Sequence, residues 1–62
     1  MKTKSKLFKN GALAYMEKLF PSGLYLVYVR NSAGEIIDKT RVDDYRMAMD
    51  YYKAFCLVAK NN

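Results

Sequence analysis

The sequence predicts a small single α+β domain, an antiparallel β-hairpin packed with two helices in the order helix, strand, strand, helix. Three observations predict it. Phe8, Ala12, Tyr15, Met16 and Leu19 recur at helical spacing; two β-forming runs flank Asn31-Ser32-Ala33-Gly34; and a long apolar periodic segment follows Asp43-Asp44. No internal repeat, linker or low-complexity segment divides the chain, so residues 1–62 read as one domain with residues 1–9 as a basic N-terminal arm.

The first helix is predicted over the segment ending at Phe20. Lys9, Asn10, Glu17 and Lys18 fall away from its apolar stripe, and Ser5 or Asn10 can cap its start. Pro21-Ser22-Gly23 ends it, because proline lacks a backbone donor and restricts the residue before it. Leu24 to Val29 is uncharged and rich in β-formers, and Glu35 to Val42 follows the turn as its partner. Asparagine at the first turn position and glycine at the fourth suit a type I turn followed by a left-handed residue. Asp43 or Asp44 caps the closing helix, and Lys60, Asn61 and Asn62 sit where a cation and asparagine favour a helix end.

The closing helix carries more apolar surface than one hairpin can cover. Tyr45, Ala48, Met49, Tyr52, Phe55, Cys56 and Ala59 make one face, and Met47, Tyr51, Ala54 and Val58 make a second beside it. Together they span roughly 220°, where a surface helix commonly shows little more than ~100°. The first strand of the hairpin is apolar on both alternating faces, and a two-stranded sheet leaves both edges unpaired. These features predict a protein-binding surface formed by Tyr25, Tyr28, Arg30, Tyr45, Arg46, Met47 and Tyr51, with a homodimer also compatible.

The net charge of +5 is concentrated. Lys2, Lys4, Lys6 and Lys9 stand among the first nine residues with no acid, leaving seven basic side chains against six acidic ones in the remainder. The alternative expectation is therefore a nucleic-acid-binding module built from that arm and from Arg30, Lys39 and Arg41, the last two on one face of their strand. Tyrosines would stack on unpaired bases.

Catalytic chemistry has little to build on. The chain lacks histidine, a serine motif, a paired-carboxylate spacing and a glycine-rich phosphate loop, so neither an enzyme nor a cofactor is expected. Cys56 is the single cysteine, which rules out an intrachain disulfide and a zinc cluster and reads as a structural thiol on the inner helix face. A lone thiol, a start without a signal-like apolar run, and no stretch near ~18 apolar residues predict a cytoplasmic protein without a membrane span.

The segment GLYLVYVRNSAGEIIDKTRVDDYRMAMDYYKAFCLVAKNN resembles the short proteins carried by phages and other mobile elements, some of them anti-CRISPR inhibitors, in size, build and lack of catalytic groups. That resemblance implies a stoichiometric inhibitor that binds a protein or nucleoprotein partner. Many such inhibitors are acidic mimics of DNA, whereas this chain is basic. A double-stranded-RNA-binding domain shares the helix, strands, helix order but needs a third strand and a basic start to its last helix, where this chain has Asp43-Asp44.

Overall fold

A computed structural model describes residues 3–61. The chain forms β1 (Thr3–Leu7), β2 (Leu13–Lys18), β3 (Tyr25–Arg30), β4 (Ile36–Val42) and α1 (Tyr45–Lys60). The strands make one sheet in the order β1-β2-β3-β4, each neighbour antiparallel, and α1 crosses one face to pack on β2, β3 and β4.

The expected hairpin and closing helix are present. In the β3–β4 turn the Gly34 amide donates to the Asn31 carbonyl at 3.0 Å, and the Asn31 side-chain oxygen accepts from the Ala33 and Glu35 amides. Gly34 has φ +87°, the left-handed residue that follows such a turn. Asp44 caps α1 by accepting from the Arg46 amide at 3.3 Å, and the Asn61 amide closes the other end on the Leu57 carbonyl.

The first helix is not present. Residues 3–18 instead form β1 and β2, so the predicted order of two helices around a hairpin is corrected to four strands and one helix. The stretch Leu13-Ala14-Tyr15-Met16-Glu17-Lys18 consists largely of good helix formers, and its spacing fits a helical stripe. It also alternates, with Ala12, Ala14 and Met16 buried and Leu13, Tyr15 and Glu17 on the other side. Pairing decides between the two. As a strand, β2 supplies the backbone partner that β3 would otherwise lack on one side, and tertiary pairing outweighs weak local propensity. The expectation of an unpaired β3 edge is corrected for the same reason.

The core lies between the sheet and α1. Ala12, Ala14 and Met16, then Tyr25, Val27 and Val29, meet Ala48, Phe55 and Ala59 of the helix, with Phe8, Val42, Met49 and Tyr52 packed around them. Alanines on both layers let the helix approach the strands closely. Among the described residues no polar side chain is buried without a hydrogen-bond partner, and no helix is long and apolar enough to cross a membrane.

Candidate functional site

The sheet has a second face that α1 does not touch. Residues paired across an antiparallel ladder share a face, so the register arranges this face in three rows. The middle row is Ser5, Tyr15, Tyr28 and Lys39; beside it lie Thr3, Glu17, Leu26 and Arg41 on one side and Leu7, Leu13, Arg30 and Ile36 on the other. Their neighbours along β2 and β3 are the buried residues under the helix, which turns these rows away from the core.

Tyr15 and Tyr28 occupy the centre as a cross-strand stacked pair, with ring centroids 4.7 Å apart and planes 26° apart. The Tyr15 hydroxyl donates to a Glu17 carboxylate oxygen at 3.1 Å. Burial first, and then that carboxylate, hold the Tyr15 phenol above its ordinary pKa, so it stays a neutral donor. Ser5, a small residue, stands opposite Tyr15 on β1.

Three cations border the pair. Lys39 stands opposite Tyr28, Arg41 opposite Leu26, and Arg30 between Leu13 and Ile36, so each cation has an apolar or aromatic partner across the ladder rather than an acid. Glu17 is the one acid in the three rows. A β-bulge between Val29 and Arg30 shifts the register there and leaves Ile36 and Ile37 exposed.

No family model, curated protein or solved structure matches this chain.

The two sets of residues singled out from sequence fare differently. The protein-binding set is dispersed: Tyr25 is a core residue, 8% exposed, and is corrected on that ground; Tyr28 and Arg30 lie on the open sheet face; Tyr45, Arg46, Met47 and Tyr51 lie on α1 across the sheet. Tyr45 meets Tyr25 edge-on at 5.6 Å. In the nucleic-acid set, Arg30, Lys39 and Arg41 come together on the open face. Lys4 and Lys6 belong to β1 rather than to a loose arm, paired with Met16 and Ala14, so they project to the helix side of the sheet at its exposed edge. Lys9 sits in the β1–β2 connection, and Lys2 lies outside the described residues. Sequence reasoning missed Tyr15 and Leu13 by placing them on a helix. Their alternation is one of burial and not of sequence, since residues 12–17 are apolar at every position except Glu17.

Cys56 is half-buried beside Tyr52, whose phenol is pushed up by burial and then by that thiol. No group of three or more potential metal ligands occurs among the described residues.

Proposed function

We propose that this chain is a non-catalytic binding protein for single-stranded nucleic acid, held on the open sheet face. The observation that carries the reading is the stacked Tyr15–Tyr28 pair at the centre of an uncovered sheet, bordered by Arg30, Lys39 and Arg41. Bases stack on aromatic faces at about 1–3 kcal/mol each without regard to sequence, while cations beside them meet the backbone phosphates.

Width argues for a single strand over a duplex. Four strands at ~4.8 Å spacing make a face about 14 Å across before side chains are counted, whereas the B-form major groove is ~12 Å wide and takes a helix or a two-stranded ribbon. A flexible single strand adapts to such a surface.

The test is fluorescence anisotropy with labelled single strands and a duplex control over a salt series. Wild type is expected to prefer the single strand, Tyr28→Ala to weaken it roughly 5- to 150-fold, corresponding to about 1–3 kcal/mol, and Tyr28→Phe to retain most of it. Arg41→Ala is expected to lower the salt slope by ~0.7. Absence of binding at low salt, or equal affinity for duplex, contradicts the proposal.

A second reading has its own support. Met47, Tyr51, Ala54 and Val58 form an exposed apolar stripe on α1 with Leu57 beside it, suited to a protein partner of the kind a stoichiometric inhibitor engages. The two readings differ in where contact falls, on the open sheet face or on the α1 stripe.

A further inference from the structure

Around the β1 edge from the open face lies an open hollow of about 610 Å³, lined by Lys6, Leu7, Phe8, Lys9, Asn10 and Lys60. Its position is built, not incidental. Asn10 pins the β1–β2 loop to the end of α1, its side-chain amide donating to the Ala59 carbonyl at 2.8 Å while its oxygen accepts from the Ala12 amide at 2.9 Å. Phe8 packs on the core, and the Lys6 ammonium stands 5.4 Å from its ring centroid. The loop, the strand end and the last helical turn thus hold three lysines around one space, with no carboxylate side chain among the described residues that line it.

Two of the last-turn carbonyls that form the negative pole of the helix dipole, Leu57 and Ala59, already accept from the Asn61 and Asn10 amides. Three lysines gathered without an acidic side chain among the described lining residues favour a polyanion over a protein surface of mixed sign.

Alternation along β1 connects the hollow to the open face. Leu7 belongs to the open-face row with Leu13 and Arg30, and the preceding residue, Lys6, points to the other side of the same edge strand. The geometry points to a continuous path: a nucleic-acid strand stacked on Tyr15 and Tyr28 leaves the open face over Leu7, turns around β1, and places its following phosphates against Lys6, Lys9 and Lys60. The inference rests on the reading of the open face given above, and it assigns that reading a length requirement. A strand of about 4 nucleotides fills the open face, and a longer one also reaches the hollow.

The experiment compares wild type with the triple variant Lys6→Gln, Lys9→Gln, Lys60→Gln on single strands of about 4 and about 12 nucleotides. The affected side chains are exposed, and circular dichroism checks that the fold is retained. On the long strand the variant is expected to lose about 2 units of salt slope, ~0.7 for each of three phosphate contacts, while its binding of the short strand is unchanged. Full slope retained on the long strand overturns the path. An equal loss on both lengths overturns it too, since it shows diffuse attraction rather than a place along the strand. If wild type binds neither length, the open-face reading itself fails and takes the path with it.

Discussion

Tyr15 links the open face to pH. Its phenol is held above the ordinary tyrosine value by burial and then by the Glu17 carboxylate, and Tyr52, on the helix, is raised by burial and then by Cys56. In each case folding favours the protonated form. The stabilisation is fully present below the unfolded tyrosine value of ~10 and is lost as pH rises through the higher folded value. Thermal melts are therefore expected to hold steady from about pH 7 to 9 and to fall in the alkaline range, with less alkaline loss in Tyr15→Phe. Spectrophotometric titration is expected to show a subset of the tyrosines ionising at higher pH than the rest. A melting temperature in Tyr15→Phe that falls with alkali as steeply as in wild type contradicts this assignment.

At the scale of elements, Gly11 is where the β1–β2 connection approaches the β3–β4 turn. It has φ +88°, and a Cβ there would lie 2.9 Å from the Ser32 Cβ in the β3–β4 turn, whereas a Cβ on Gly34, at nearly the same φ, would meet nothing within 4 Å. Both substitutions to alanine pay for left-handed backbone strain of about 1–2 kcal/mol, and Gly11→Ala adds the collision with Ser32. Urea denaturation is expected to rank Gly11→Ala clearly below Gly34→Ala; equal stabilities contradict the close approach. The same glycine shows what sequence patterning could and could not reveal. Asn31, Gly34 and Asp44 announce their turn and cap through local chemistry, so the hairpin and α1 were legible. Gly11, Ala12 and Ala14 do not, because alanine suits either period and the need for a left-handed residue opposite Ser32 arises from a contact across 21 positions of chain. The open face was half legible for the same reason: Arg30, Lys39 and Arg41 were found, and Tyr15 was not. The edge strands carry a further device. Antiparallel self-pairing of β1 about Ser5 would set Lys4 against Lys6, and pairing of β4 about Thr40 would set Lys39 against Arg41, so like charges guard both edges.

The whole molecule divides its two sides by chemistry. One helix covers one face of the sheet and seals a core of alanine, valine, methionine, tyrosine and phenylalanine side chains. The opposite face keeps its tyrosines and cations outward, and the β1 edge joins it to the three lysines of the hollow. Positive charge that looked like a terminal tail in sequence becomes part of the body once residues 3–7 pair as a strand. The α1 stripe of Met47, Tyr51 and Val58 remains exposed on the other side, so the site of contact separates the two functional readings at a glance. The most direct measurement is an amide chemical-shift map of the labelled protein titrated with an unlabelled single strand of about 8 nucleotides at low salt. Binding on the open face is expected to move the signals of Leu13, Tyr15, Tyr28, Arg30, Lys39 and Arg41 and to leave Met47, Tyr51 and Val58 in place. Shifts concentrated on the α1 stripe, or none at saturating strand, contradict it.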